Sequence, residues 1–452
     1  MKSGEIRVAQ AVSIPSESPD DDYPSIPKPY EKVGILTQIP CNRPRAIDYM
    51  QRSNLDAIIA TSPANITYFT GQYCWLDGQF KEYMVKPGAS GALLPLFALY
   101  PLEGAPALVV DAALAVNAMD VEGLELRVFG GGILDCSESP GALSGRQSEI
   151  AALLTEVPLA ETAVEALGEL LCRRGLSGAR IGLEAEGLPA GTKAAIAAAF
   201  PRAEFVDCSN LIRLVRMVKT AAEIGWLERA AAIGEEAAHA SLADARVGGS
   251  MRDLVQRFRV EVAQRGADLD HFAFGVKGMG LATETDYIAV EGDACYIDYG
   301  CVYQYYCSDS GLTLAFSPLS DEWARKYEAL YACLRAGTRA MVPGARASTV
   351  PAAMWEVLHE YGISASFPHG HGLGLEVRDY PILVADTGLR ICDECVDEPA
   401  DLPLEADMVL NLEAMVFALG LASVHIEQSF VVGREGGRAL TVQDRTRPFY
   451  PV

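Results

Sequence analysis

Carboxylates placed inside apolar, strand-like segments are the feature that most constrains how this chain can fold. Asp298 and Asp309 lie in two alternating runs joined by a short turn, and Glu413 and Glu427 interrupt the apolar runs VLNLEAMVF and VHIEQSFVV. Burying a charged carboxylate is costly unless a positive charge compensates for it. The pattern therefore predicts that the four carboxylates converge on cations, and that the rest of the chain builds and covers this site.

A Gly-rich run, His369-Gly-His371-Gly-Leu-Gly, adds imidazole groups to this set. Four carboxylates and one imidazole, that of His371, form a mostly oxygen ligand set that suits Mn, Fe, Zn or Co. Bridging carboxylates hold two such ions roughly 3.5–4 Å apart in two-metal hydrolytic sites. From spacing alone, the alternative is that the aspartates are turn residues of a hairpin and His371 is a loop histidine. The glutamates inside apolar strands favour the metal site.

Size and charge limit the classes of protein to consider. The chain has 452 residues, half of them apolar, which is enough for two domains with large cores. A net charge of −23 argues against nucleic acid or an anionic membrane as a partner. No apolar run is long enough for a transmembrane helix, and eleven scattered cysteines suit a reducing cytoplasm. A cytoplasmic protein whose partners are neither nucleic acid nor membrane is therefore the expectation, and the charge alone does not indicate its chemistry.

The first half of the chain alternates between strand and helix patterns. Residues 1–41 are rich in Pro, Ser and Asp and are expected to form an extended arm or a disordered leader, without the apolar core of a signal peptide. In residues 42–212, buried strands are predicted at Ala57–Ala60, Arg180–Glu184 and Glu204–Asp207. Helices are predicted at Ile150–Arg174 and Gly191–Ala199. This alternation indicates an α/β domain.

From residue 213 to residue 452, helices and strands come in blocks, which indicates an α+β catalytic domain. Thr220 and Glu223 match a capping box that opens a long helix. The segment Asp386–Pro403 interrupts this half and contains Cys392 and Cys395. A redox pair or half of a zinc site is possible for such a C-x-x-C, but no second pair is nearby. An acidic surface loop is therefore preferred.

The ordered residues resemble the metal ligands of the "pita-bread" metallohydrolases, peptidase family M24, which includes methionine aminopeptidase, prolidase, aminopeptidase P and creatinase. The matching segments are YIDYG around Asp298, YCSDSG around Asp309, HGLGLEVRD from His371, NLEAMV around Glu413 and HIEQSFVV around Glu427. LDAIIATSPANITYFTG resembles the start of the creatinase-type N-terminal domain, and LIRLVRMVKTAAEI resembles the junction into the catalytic domain. The resemblance implies a creatinase-type N-terminal α/β domain followed by a pita-bread catalytic domain. It also implies two divalent metal ions and a homodimer whose N-terminal domain contributes to the neighbouring site.

Two departures from the peptidase pattern bear on activity. The peptidases carry a second His seven residues after the ligand His, where this chain has Arg378. They also carry a His just before the first metal strand, and residues 278–286 contain none. Arg378 offers a fork for a carboxylate or phosphate. The alternative is a salt bridge from Arg378 to Glu376 or Asp379.

The remaining site residues are expected in two roles. Glu413 is the preferred general base, with Glu376, Asp379 and His425 as alternatives. Candidate substrate contacts are Arg378, which is also a candidate catalytic residue, His369, Tyr303, Tyr305 and Trp75. Strand alternation is expected to place Tyr303 and Tyr305 on one face. Trp75 is a candidate for reaching a partner's site, although ordinary packing is preferred for it. For His369 and the two tyrosines, the alternative is ordinary packing.

The resemblance implies a hydrolase that cleaves a C–N bond of a small molecule or dipeptide (amide, amidine or Xaa-Pro type) with a metal-bound hydroxide. A standard aminopeptidase is not expected, because the peptidase histidines are missing. A second hypothesis is a lyase like the dimethylsulfoniopropionate-cleaving members of the superfamily, with Asp379 or Glu376 as the base. A third is a non-catalytic binding protein, which the five retained ligands disfavour.

Overall fold

Two β-sheets organise the part of the chain that the computed structural model describes. The described residues are 38–73, 84, 87–88, 96–130, 143–155, 159–186, 188–279 and 287–451. Trp75 and most of the predicted arm of residues 1–41 therefore lie outside them. Among the described residues, no helix is both long and apolar enough to cross a membrane.

The first sheet has six strands in the order β4-β3-β2-β1-β5-β6. β1, β2 and β3 pair antiparallel, and the other neighbours pair parallel. The strands are β1 Ala57–Ala60, β2 Phe97–Pro101, β3 Ala107–Asp111, β4 Glu125–Phe129, β5 Arg180–Leu183 and β6 Glu204–Asp207. The helices are α1 Arg43–Arg52, α2 Pro63–Thr70, α3 Gly145–Thr155, α4 Ala163–Arg173, α5 Ala190–Ala199 and α6 Ser209–Arg216, with a 3₁₀ helix at Ala115–Ala118. This is the predicted α/β arrangement.

Local signals account for most of these bounds. The predicted strand Ala57–Ala60 is confirmed and fully buried, and Ser62 caps the helix that follows it. The prediction of one helix over Ile150–Arg174 was wrong. The chain forms α3 and α4 instead, and Thr162 opens α4 with a capping box. The predicted boundary between residues 212 and 213 falls within α6, and it stays a prediction.

The second sheet is an antiparallel, curled sheet of nine strands. Its order is β12-β11-β15-β16-β10-β8-β7, with β17 on β16 and β9 on β8. The helices of this half are α7 Ala221–Leu242, α8 Met251–Gln264, α9 Asp321–Ala340 and α10 Thr349–Glu360. The strands are β7 Asp268–Val276, β8 Ala294–Tyr303, β9 Tyr306–Cys307, β10 Ser310–Ala315, β11 His369–Gly372, β12 Asp379–Leu383, β13 Arg390–Cys392, β14 Asp397–Pro399, β15 Val409–Ala418, β16 Ala422–Gly433 and β17 Gly436–Ala439. The capping box predicted at Thr220 and Glu223 is confirmed at the start of α7.

Helices cover one face of this sheet and leave the other face for polar residues. Leu412 of β15 and Ile426 of β16 pack in one core with residues of α9 and α10. Ile297 of β8 packs in another with residues of α7 and α8. Successive side chains of a strand point to opposite faces. The carboxylates at 298, 413 and 427, each next to one of these apolar residues, therefore point away from the helices.

A two-residue turn joins β8 to β9. Gln304 and Tyr305 both have positive φ, and Tyr303 pairs with Tyr306 across the turn. The predicted short turn is confirmed, but the expectation that Tyr303 and Tyr305 share a face was wrong, because the turn interrupts the alternation. Tyr305 instead stacks on Tyr73, with ring centroids 4.0 Å apart.

The segment Asp386–Pro403 forms the two short strands β13 and β14 and contacts helix α6. The Asp393 carboxylate accepts hydrogen bonds from the backbone N–H groups of Asn210 and Leu211 at the start of α6. Cys392 and Cys395 are both free thiols. Burial raises the pKa of Cys395 to about 12, which disfavours a reactive thiolate. The segment is therefore a surface element that packs against the start of α6.

A buried arginine links the two halves of the chain. Arg216 of α6 donates from Nη1 to Asn65 Oδ1 of α2 at 2.9 Å and from Nη2 to Asp379 Oδ2 at the start of β12 at 2.9 Å. The side chains of Arg216 and Asp379 are 3% and 1% exposed. Each is a buried charge that depends on the other for compensation.

We expect the Arg216→Leu variant to lose about 3–5 kcal/mol of unfolding free energy, because Asp379 is left as an unpaired buried charge. The matched control is Arg213→Leu on the same helix, whose partner Glu186 is 60% exposed. That control should lose less than about 1 kcal/mol. Urea denaturation measures both, and equal losses would contradict the interpretation.

Candidate metal centre and pocket

The strand register brings the predicted metal ligands into one row. Gly311 of β10 lies opposite both Asp298 of β8 and Glu427 of β16. Glu427 lies opposite Glu413 of β15, and Glu413 lies opposite His369 of β11. Residues directly opposite one another in neighbouring strands point to the same face. The row therefore forms the floor of a site across five strands.

Asp309 lies two residues before Gly311, and His371 lies two residues after His369. Because side chains two residues apart in an extended chain point to the same face, both complete the floor. His371 Nε2 is 3.4 Å from Asp309 Oδ2. The other ring nitrogen, Nδ1, is 3.0 Å from the Gly372 carbonyl oxygen and donates to it. This arrangement, in which one nitrogen is held by the backbone and the other faces the site, is that of a metal-binding histidine.

Like charges dominate the electrostatics of the floor. Burial raises the pKa of Glu427 well above its ordinary value, and the neighbouring carboxylates of Asp309 and Asp298 raise it further. Burial also acts to raise the pKa of Asp309, but hydrogen bonds from His271 and His371 outweigh it and lower that pKa to about 2. The carboxylates therefore need positive charge beside them in order to be ionised together.

The residues present fit a pair of divalent cations. Two groups each place three ligand atoms within 4.8 Å of one another, namely His271 with Asp298 and Asp309, and Glu413 with His425 and Glu427. Among the described residues, the buried atoms His425 Nε2 and Glu427 Oε2 have no hydrogen-bond partner. Buried polar atoms are normally paired. A cation at the group of Glu413, His425 and Glu427 would pair both atoms.

His271 is a site residue that the sequence analysis missed. Its Nε2 is 2.9 Å from Asp298 Oδ1, and its Nδ1 is 2.6 Å from Asp270 Oδ2. Burial acts to lower the pKa of His271, but the hydrogen bonds to these carboxylates raise it to about 12. The register of β7 shifts between Leu269 and His271, so strand alternation alone does not give the direction of this side chain. The sequence signal that could have identified His271 is its position within the apolar run of β7, the strand that pairs with β8.

A pocket of about 540 Å³ opens above one end of the floor. Its described lining combines the apolar side chains of Phe367, Met415 and Phe417 with polar groups that include Asp298, His369, Glu413 and Arg378. His369 Nε2 is 2.8 Å from Glu413 Oε1, and Arg378 Nη2 is 3.5 Å from the same oxygen. The Arg378 side chain is 58% exposed, so its guanidinium is available to a molecule in the pocket.

The other predicted catalytic carboxylates are held by Arg216. Its Nη2 is 2.8 Å from Glu376 Oε2 and 2.9 Å from Asp379 Oδ2. The alternative expectation of a salt bridge from Arg378 to either carboxylate was therefore wrong. Among the described residues, neither carboxylate lines the pocket, and neither does Tyr303 or Tyr305.

Comparisons with known proteins agree with this geometry. Residues 43–218 match the creatinase/prolidase N-terminal domain, and residues 225–434 match metallopeptidase family M24. The chain belongs to the metallopeptidase family M24, with a creatinase/prolidase N-terminal domain.

Its similarity to individual members is moderate. An Xaa-Pro dipeptidase of Pyrococcus furiosus is 26% identical over 249 residues, which make up 54% of this chain and 68% of the relative. An uncharacterised peptidase of Staphylococcus aureus is 24% identical over 411 residues, 88% of this chain and 97% of the relative. The structure of an X-Pro aminopeptidase from Thermotoga maritima gives a TM-score of 0.69 at 18% identity, covering 89% of this chain and 99% of that one. The structure of a prolidase from Pyrococcus horikoshii gives a TM-score of 0.65 at 20% identity, covering 89% of this chain and 98% of that one. The structural similarities establish the fold.

The raised pKa values of Glu427 and His271 predict how the metal-free protein responds to pH. Both groups bind protons more tightly in the folded chain than in the unfolded chain, so folding stability falls as pH rises from about 5 to about 9. Metal-loaded protein should show a weaker fall over this range, because cations compensate the carboxylates. Thermal unfolding at several pH values measures both states.

The control for this prediction is Glu427→Gln without metal, which removes one of the two groups and should flatten the dependence. Metal-free protein that gains stability between about pH 5 and about pH 9 would contradict the assignment.

Proposed function

We propose that the protein is a dinuclear metal-dependent hydrolase that cleaves a C–N bond in a small, carboxylate-bearing substrate, such as an Xaa-Pro dipeptide. The observation that carries this proposal is the position of an exposed arginine, Arg378, beside a pocket whose floor holds the carboxylates of the candidate metal centre. The similarity to Xaa-Pro dipeptidases supports the same class of substrate. Amide and amidine substrates of similar size are the alternatives within this class.

Arg378 is assigned to substrate binding. Its guanidinium pairs with carboxylates in a forked geometry, and its only contact with the floor is a long one of 3.5 Å to Glu413 among the contacts described. The apolar wall formed by Phe367, Met415 and Phe417 suits an uncharged ring or side chain of the same molecule. Together these groups orient a substrate with its carboxylate at the rim and its scissile bond towards the floor.

Glu413 is assigned to proton transfer towards the leaving nitrogen. It lines the pocket, and Glu427 is not among the described residues that do so. Burial acts to raise the pKa of Glu413, but the hydrogen bond from His369 outweighs it and lowers that pKa, which keeps the carboxylate ionised. Two divalent ions, Mn, Fe, Zn or Co, would activate a water and polarise the scissile carbonyl when bound at Asp298, Asp309, His371, Glu413 and Glu427.

The lyase hypothesis has less support. It assigns the base to Asp379 or Glu376, and both carboxylates are paired with Arg216. Among the described residues, neither carboxylate lines the pocket, so neither is placed to take a proton from a molecule bound there. A homodimer whose N-terminal domain reaches the neighbouring site, and a cytoplasmic location, stay predictions.

The first test is turnover by metal-loaded protein. We expect Xaa-Pro dipeptides or small amides to give hydrolysis products by mass spectrometry. Asp309→Asn should abolish turnover together with metal binding, because it removes a central carboxylate. Cleavage of dimethylsulfoniopropionate without hydrolysis of any C–N substrate would support the lyase instead. Binding without turnover of either class would support the non-catalytic alternative.

The second test concerns Arg378. Arg378→Gln should raise KM for a dipeptide with a free carboxylate by about 10–100-fold and change kcat little, because a charge-assisted hydrogen bond is lost. For the same dipeptide as a carboxamide, wild type and variant should differ much less.

Arg434→Gln, at an exposed arginine in the turn between β16 and β17, serves as the control and should behave like wild type. If Arg378→Gln impairs both the carboxylate and the carboxamide substrate equally, the substrate-binding role of Arg378 is wrong.

A further inference from the structure

His425 is a fully buried imidazole whose surroundings lack a donor for one of its nitrogens. It lies on β16, two residues before Glu427, and its side chain is 0% exposed. Nδ1 is 3.3 Å from the Ile297 carbonyl oxygen and donates to it, which fixes the tautomer. Nε2 is then an acceptor, and among the described residues it has no hydrogen-bond partner. An unsatisfied buried acceptor is costly to retain.

The atoms that Nε2 faces are carboxyl oxygens of two glutamates, at distances too long for a hydrogen bond. It lies 3.7 Å from Glu413 Oε2 and 3.6 Å from Glu427 Oε2. Glu427 Oε2 also lacks a hydrogen-bond partner among the described residues. Ligand atoms about 2.1 Å from a shared ion lie about 3.0–3.4 Å apart at octahedral or tetrahedral angles. These three atoms, His425 Nε2, Glu413 Oε2 and Glu427 Oε2, are spaced slightly more widely than this and surround a position that suits a cation.

The neighbouring strand is shaped to admit this ring. A Cβ atom at Gly311 would lie 2.2 Å from His425 Cε1, so the imidazole occupies its position only because residue 311 is glycine. The ring also packs on Tyr296, with centroids 4.3 Å apart. Its hydrogen bonding repeats that of His371, in which Nδ1 donates to a backbone carbonyl and Nε2 faces a carboxylate.

We infer that His425 is a sixth protein ligand of the metal centre, binding through Nε2 the cation held between Glu413 and Glu427. The inference rests on the metal site of the proposed function. His271 differs, because carboxylates already lie within hydrogen-bond distance of both its nitrogens. A second imidazole would make the site softer and favour Co or Zn over Mn.

X-ray absorption at the cobalt edge counts imidazoles without removing His425. The full chain carrying both His271→Gln and His369→Gln, which lacks the two other imidazoles beside the site, should show about one imidazole per bound cobalt ion, from His371 and His425 together. About half an imidazole per ion would overturn the inference, since His371 would then be the sole histidine ligand.

Calorimetric titration with cobalt tests the same ligand by substitution. His425→Gln should weaken one of the two binding events by at least about 10–100-fold, the range known for losing even an outer partner of a ligand. His371→Gln should weaken binding similarly, whereas His359→Gln, at an exposed histidine of α10, should leave it unchanged.

A folded His425→Gln protein, checked by circular dichroism, that binds both ions as wild type does would overturn the inference. If the variant does not fold, the absorption measurement on the protein carrying His271→Gln and His369→Gln decides whether His425 is a ligand. Wild-type protein that binds no cobalt at all would instead refute the metal site of the proposed function.

Discussion

Repulsion among carboxylates buried on one face of a curled sheet is the constraint on which this structure depends. Antiparallel register sets Asp298, Glu427 and Glu413 in one row, and side-chain alternation directs their apolar neighbours to the helices on the opposite face. Burial of this row is unfavourable without compensating charge. The large apolar cores beneath the sheet hold the carboxylates together, and cations bound at the candidate metal centre would relieve the repulsion that this creates.

The connection between the two halves also serves the pocket. Arg216 on α6 binds Glu376 and Asp379, which flank Arg378 in the chain. Because both flanking carboxylates are held from the side of the first sheet, the segment between them has little freedom, and the Arg378 guanidinium is presented to the pocket. Glu376 and Asp379, two candidates for acid–base chemistry, are thus both held by Arg216, on either side of Arg378 in the chain.

Much of the fold was readable from the sequence, because its signals are local. The buried strand Ala57–Ala60 and the capping box at Thr220 follow from residue type and spacing, and Glu413 and Glu427 stand out because they interrupt apolar strands. The contributions of His271 and His425 depend on a register shift and on the space above a glycine in another strand. The partner of Asp379 lies 163 residues away on α6, a distance that no local pattern encodes.

The central claim is that the buried carboxylates exist to hold two cations. Anomalous diffraction from crystals of cobalt-loaded protein tests it most directly. The account predicts two peaks about 3.5–4 Å apart, one beside Asp298 and Asp309 and the other beside Glu413 and Glu427. A map with no peak on this face of the sheet, or with its peaks elsewhere in the molecule, would contradict the account.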